Sequence, residues 1–241
     1  ATDEALALRD AGISVPIVGL GVTSSVDWTE LARQDVRVTI ADGEQLAPLA
    51  SYQGSRLTVH LKVETGLGRL GFAPDELPMI VERVASIPTV EIEGASSHFA
   101  SVEEQDLGYT ARQLAEFERA VSQFSRPLIR HIAATAAILQ LPETHLDLVR
   151  AGIGIYGLWP SEGVRRAVQT SNHSIQLQPA LSWCTRLVQV KAVSAGTTVG
   201  YGRTYRVNHP TIVGVLPIGY ADGYDRGLSN RAQVLIRGQR V

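Results

Sequence analysis

Short apolar runs rich in β-branched residues alternate with helix-patterned segments through the first three quarters of this chain. Val15 to Leu20, Val36 to Ile40, Leu57 to Val63, Val90 to Ala95, Leu128 to Ile132 and Leu146 to Val149 read as strands. They are apolar on both faces, as strands buried in a parallel sheet are. Asp3 to Arg9 reads as a helix stopped by Gly12, and Trp28 to Arg33, Glu44 to Ala50 and Glu104 to Phe124 as further helices. Another helix spans Asp75 to Ala85, entered at Pro74, where a missing N–H costs nothing. Strands and helices at this spacing are βαβ units on a parallel sheet. About six strands fit either an open doubly wound sheet or an eight-stranded barrel lacking two βα units, and the count leaves both open.

After about Leu177 the texture changes. Ser182 to Val193, Thr211 to Val215 and Gln233 to Ile236 read as strands separated by Gly-rich turns without helical periodicity. The expected division is an α/β domain over residues 1–176 and the start of a mainly β domain over 177–241. The Pro- and Ser-bearing stretch from Trp159 to Gln178 reads as the linker.

The chain has 241 residues, 44% of them hydrophobic, enough for one large α/β domain and a smaller one. A net charge of −2 with interspersed acids and bases gives no reason to expect nucleic acid or an anionic membrane as partner. No apolar run approaches the roughly 20 residues of a membrane-spanning helix. The single cysteine, Cys184, forms no disulfide within one chain and reads as a small strand filler. A reducing cytoplasm is therefore expected. No metal site is expected. The sequence starts at Ala1 in a helical pattern, contains only Met79, and ends after the turn-like Arg237-Gly238-Gln239, so an internal portion of a longer protein is expected.

Gly66, Gly68 and Gly71 fit G-x-G-x-x-G after a strand, which raises a dinucleotide site. In such a site the glycines open the helix that faces the pyrophosphate. Here the helix starts only after them, and the region around Glu82, where a ribose-binding acid would stand, reads as mid-helix. The glycines are therefore expected to permit a tight loop. In a barrel that loop lies on the catalytic face, with Lys62 and Arg69 beside it as cations able to hold an anion.

The run HLKVETGLGRLGF from His60 to Phe72 resembles a signature of alanine racemases. The resemblance continues through Ser97 to Ala100, His131 to Ala137, Leu148 to Ile153 and Ile155 to Leu158. It also covers Val199 to Tyr205 and Leu216 to Tyr224, in the family's order across nearly the whole chain. It implies an α/β fold, a TIM-type (β/α)8 barrel with its first strands missing here, followed by a truncated, mainly β C-terminal domain. It also implies pyridoxal 5'-phosphate as cofactor, a small amino acid such as alanine as substrate, and a homodimer whose active sites draw on both subunits.

The resemblance also implies roles. Racemisation needs a base on each face of the substrate, here a Schiff-base lysine and Tyr201. His98 and Arg150 would form the chain that supports that tyrosine, with His98 touching it from the other subunit. Arg150 would meet the pyridine nitrogen. Because arginine keeps its proton, the ring stays uncharged and is a weaker electron sink, which suits a racemase. Thr135 and the backbone N–H groups of Gly152 and Ile153 would hold the phosphate, with His131 in the same cofactor set. Arg69 would face the substrate carboxylate or the cofactor oxygen, Lys62 matches a position often carbamylated in the family, and Tyr220 would narrow the substrate entrance. Two departures stand out. Ala134 replaces a common asparagine, and Thr135 replaces a serine while keeping the hydroxyl. The only lysines are Lys62 and Lys191, and neither lies in the family's cofactor-lysine motif. A C-terminal substrate-holding motif is also absent. The expected function is PLP-dependent interconversion of L- and D-alanine for cell-wall synthesis, with this chain alone inactive. The alternatives are a relative acting on serine or another amino acid, or a non-catalytic PLP-binding relative.

Overall fold

The computed structural model describes residues 2–171 and 175–241. The chain forms two compact units, Ala1–Ala180 and Leu181–Val241.

The first unit contains strands β1 (Ile17–Val22), β2 (Val36–Ile40), β3 (Leu57–Lys62), β4 (Val90–Ser96) and β5 (Ile129–His131). Among the described residues they form one parallel sheet in chain order, β1-β2-β3-β4-β5. Helices α1 (Thr2–Asp10), α2 (Trp28–Arg33), α3 (Leu46–Ala50), α4 (Leu77–Ala85) and α5 (Gly108–Val121) alternate with the strands. This is the wall of an α/β barrel, in which each parallel strand is followed by a crossover helix. Side chains alternate across a strand. Leu57, Val59 and Leu61 of β3 enter the hydrophobic core, while His60 and Lys62 share the opposite face. On α4, buried Leu77, Ile80 and Val84 recur at helical spacing. On α5, Gln113, Phe117 and Ala120 do the same.

The β3–β4 register contains a bulge. Val59 pairs with Ile92 but His60 pairs with Gly94, which leaves Glu93 as an extra residue on β4.

Several expectations change. Leu146 to Val149 is not a sixth strand. Leu146 adopts a left-handed φ of 49°, and the Asp147 carboxylate takes the Arg130 N–H at 2.9 Å, so the chain turns instead of extending. Pairing there shrinks to a single parallel bridge between Ala134 and Arg150. The stretch expected as a linker from Trp159 to Gln178 holds a helix, α7 (Glu162–Ser171), and its residues 172–174 lie outside those described. Val164 and Val168, one turn apart, are buried on α7, and the Ser161 hydroxyl accepts the Val164 N–H. An additional short helix, α6 (Thr135–Gln140), follows β5. Helix α4 begins later than expected, at Leu77, because the Glu76 carboxylate turns back to accept the Ala73 N–H.

The second unit consists of antiparallel ladders. Strand β6 (Gln189–Val193) pairs with β9 (Thr211–Val215), and β7 (Thr198–Val199) with β8 (Tyr205–Arg206). Strand β10 (Leu235–Ile236) forms a hairpin with β11 (Gln239–Arg240). Its two turn residues, Arg237 and Gly238, both have positive φ, as a tight hairpin turn requires. The expected strand from Ser182 is shorter and starts only at Gln189. No helix among the described residues is long and apolar enough to cross a membrane.

Candidate active site

A cavity of about 520 Å³ opens at the C-terminal ends of the parallel strands. Lys62 ends β3, Ser96 and His98 follow from β4, and Thr135 opens α6 after β5. Arg150, Gly152 and Ile153 come from the bridge and turn beyond, and Arg69 from the glycine loop. The strand ends converge here, which is where barrel folds put their chemistry.

Arg150 is fixed on several sides. Its Nη2 donates to the carbonyls of Ser97 at 2.8 Å and Ile132 at 3.0 Å, and to His98 Nδ1 at 3.2 Å. Its Nη1 donates to His131 Nδ1 at 2.7 Å. Burial lowers the guanidinium only to about 10, so it remains a cation near neutrality. Burial, then the charges of Arg150, Lys62 and Arg69, push His98 down to about 4. Burial, then Arg150, His60 and Lys62, push His131 down to about 3. Both rings are neutral at pH 7. Since arginine only donates, the Nδ1 atom of each ring accepts.

Lys62 is the most displaced cation. Burial, then repulsion from Arg150 and Arg69, lowers it to about 7. Thr135 organises the opposite wall. Its Oγ1 accepts the N–H of Gly152 at 3.0 Å and of Gly154 at 3.3 Å. Ile153 opens a 3-10 turn, so no carbonyl of that turn can reach its N–H.

The glycine loop is closed from inside. The Glu64 carboxylate accepts the N–H groups of Leu67 at 2.6 Å and Arg69 at 3.1 Å, and that of Gly66 as well. Burial opposes ionisation of Glu64, but backbone N–H bonds from Gly68, Gly66, Arg69 and Leu67 hold its carboxyl below the usual range. Donors that would face a pyrophosphate in a dinucleotide loop here serve a carboxylate of the same chain. Gly71 has a φ of 129°, and a Cβ there would lie 2.6 Å from the Glu64 nitrogen, so only glycine fits that turn.

The cavity thus brings together Lys62, Arg69, His98, Thr135, Arg150, Gly152 and Ile153. His131 stands behind Arg150, buried and outside the lining. Tyr201 and Tyr220 lie in the second unit on 3-10 turns, 93% and 68% exposed. Sequence reasoning missed Ser97, whose carbonyl holds Arg150, and the pair of buried His60 with half-buried Glu93. The alternation that puts His60 on the same strand face as Lys62 was the available signal. Among the described residues, no group of His, Cys, Asp and Glu could hold a metal ion.

The alanine racemase N-terminal domain family matches residues 1–160, and the alanine racemase C-terminal domain family matches residues 180–241. This chain belongs to the alanine racemase family. An alanine racemase of Desulforamulus reducens is 42% identical over 99% of this chain, which spans 65% of that relative's length. The crystal structure of alanine racemase from E. faecalis superposes with a TM-score of 0.87 at 34% identity, covering 100% of this chain and 64% of that one. A histidine racemase from Leuconostoc mesenteroides superposes with a TM-score of 0.79 at 30% identity, covering 92% of this chain and 60% of that one. The fold class expected from the sequence is borne out: the part matching the N-terminal domain family carries five parallel strands of an α/β barrel, and the part matching the C-terminal domain family carries the antiparallel ladders.

Proposed function

We propose that the protein containing this chain is a pyridoxal-phosphate-dependent alanine racemase that interconverts L- and D-alanine. The observation that carries this reading is Arg150, a desolvated permanent donor fixed at the cavity by His131, His98 and two carbonyls.

The residues present fit the cofactor. Arg150 would meet the ring nitrogen. The Thr135 hydroxyl and the backbone of Gly152 and Ile153 would hold the phosphate, in a turn that Thr135 already orders. When bound through a lysine, pyridoxal phosphate supplies the electron sink for the substrate's α-carbanion. Arg150 cannot give the ring nitrogen a proton, which keeps that sink weak and limits side reactions. Arg69 would hold the substrate carboxylate beside Lys62. Tyr201 would hold the proton on one substrate face, and a lysine outside this sequence on the other. In a homodimer with shared sites, Tyr201 and Tyr220 would complete the neighbouring subunit's cavity with His98, and their exposure supports that role. D-Alanine made in the cytoplasm would then feed peptidoglycan synthesis.

The test compares the full-length parent protein with residues 1–241 alone, each with pyridoxal phosphate. The parent should racemise alanine and yield a borohydride-trapped lysine adduct. This chain, with only Lys62 and Lys191, should show no turnover. A trapped adduct on either lysine together with turnover overturns the assignment of roles. A second reading, the same chemistry on another amino acid, is favoured by the likeness to the histidine racemase. A panel of L-amino acids offered to the parent protein decides between them.

A further inference from the structure

Arg150 ends a line of buried and half-buried polar groups that runs across strands β2 to β5 and whose far members the chemistry above leaves unused. Beyond the Arg150–His131 contact, His131 Nε2 lies 2.8 Å from His60 Nδ1. His60 Nε2 lies 3.0 Å from Glu93 Oε2. Arg37 donates to both Glu93 oxygens, from Nε to Oε2 at 3.1 Å and from Nη2 to Oε1 at 3.1 Å. His60 and His131 are 0% and 1% exposed, so water does not substitute for the contacts between the two rings and with Arg150, while Glu93 and Arg37 are half-buried.

One arrangement of protons satisfies the whole line. Arg150 has no acceptor, so His131 Nδ1 must accept. The neutral ring then carries its proton on Nε2 and donates it to His60 Nδ1. His60 in turn keeps its proton on Nε2 and donates to Glu93, an acceptor-only carboxylate held from its other side by Arg37. Burial lowers the His60 ring, and its bond to Glu93 only partly opposes this, so a neutral His60 is consistent with the geometry.

The backbone is shaped around this line. Glu93 is the bulged residue of β4, an unusual insertion in a parallel pair. Gly94 follows it, and a Cβ there would lie 2.5 Å from His60 Cε1 and 2.6 Å from the Ile129 carbonyl. The His60 ring occupies the space that any other residue at 94 would need.

We infer that His60 and Glu93, clamped by Arg37, are positioning residues that fix the tautomer of His131 and thereby present Arg150 to the cavity in a single orientation. In the other tautomer, two N–H groups would face each other at Arg150 and the guanidinium would lose its seat. The catalytic consequence rests on the reading of Arg150 as the cofactor-facing residue; the tautomer itself does not.

The experiment uses the full-length protein labelled with 15N-histidine, loaded with pyridoxal phosphate. In the wild type, long-range 1H–15N spectra should show His131 and His60 with pyridine-type Nδ1 and pyrrole-type Nε2. In Glu93→Gln, one amide cannot accept from Arg37 at both positions, so the line breaks. Both rings should then show mixed tautomers, and kcat for alanine should fall roughly 10- to 100-fold with KM little changed, the size of effect typical when a partner that orients a functional residue is lost. Glu93→Asp, which keeps two acceptor oxygens, should recover the wild-type spectrum and part of kcat. A wild-type spectrum with a protonated His131 Nδ1 overturns the inference even where the Gln variant does not fold. So does a Glu93→Gln protein in which tautomers and kcat do not change together. A wild-type protein that fails to racemise alanine sinks the proposed function instead, and the spectrum still tests the proton arrangement.

Discussion

Lys62 sits at the end of β3 with Arg69 and Arg150 close enough to repel it, and burial has already stripped much of its hydration. Its amine is lowered from 10.5 to about 7, so near neutrality a large fraction is unprotonated. An unprotonated amine attacks carbon dioxide: a C–N bond forms, a proton leaves to solvent, and the cation becomes an anion. Between two arginines that reversal turns repulsion into attraction. With 13C-bicarbonate at pH 8, the parent protein should therefore give a carbamate resonance that Lys62→Arg abolishes. The signal should fade as pH falls through 7, because the protonated amine does not react. Its absence at pH 8 would remove carbamylation from this site. Arg150, His98 and Lys62 were legible in the sequence because each stands in a local motif. The Glu93–His60–His131 line was not, because its members are separated by 33 and 71 positions and meet only through a bulge.

Periodicity exposed most of the elements. Helix α5 is a clear case: Gln113, Phe117 and Ala120 recur at helical spacing, and Phe117 is fully buried against the sheet. Phe117→Ala should lower unfolding free energy by roughly 3–5 kcal/mol, with little change in the far-UV spectrum of the folded state. A loss below about 1 kcal/mol in a denaturant titration would mean that the core re-forms around the gap. At one segment local electrostatics overrode the hydrophobic pattern. Leu146 to Val149 is apolar enough for a strand, yet the ion pair of Asp147 with Arg130 at 2.8 Å and the turn at Leu146 prevent it. Helix α7 was hidden by flanking Pro and Ser residues, although Val164 and Val168 already carried the one-turn spacing.

Within residues 1–241 the two units differ in how much apolar surface they cover. The first carries the connected hydrophobic core, from Trp28 and Leu31 through Leu61 to Ile132. In the second, among the described residues, Val207 is the one fully buried hydrophobic side chain, while Ile212 is 74% and Leu235 68% exposed. The change in texture near Leu177 made a second unit legible, but a strand pattern does not reveal whether its apolar face is covered. Short ladders without a covered apolar face hold little of the burial that offsets chain entropy. Their backbone hydrogen bonds should therefore open far more often than those of β2 to β4, which lie inside the core. Hydrogen–deuterium exchange on residues 1–241 as a single chain should show β6 and β9 deuterated within the earliest time points while β3 stays protected. In the full-length protein with pyridoxal phosphate, β6 and β9 should become protected, because the further residues of the parent protein and a partner subunit would cover their exposed valine and isoleucine side chains. Equal protection of β3 and β9 in the single chain would mean that the second unit's own contacts hold it without any further covering.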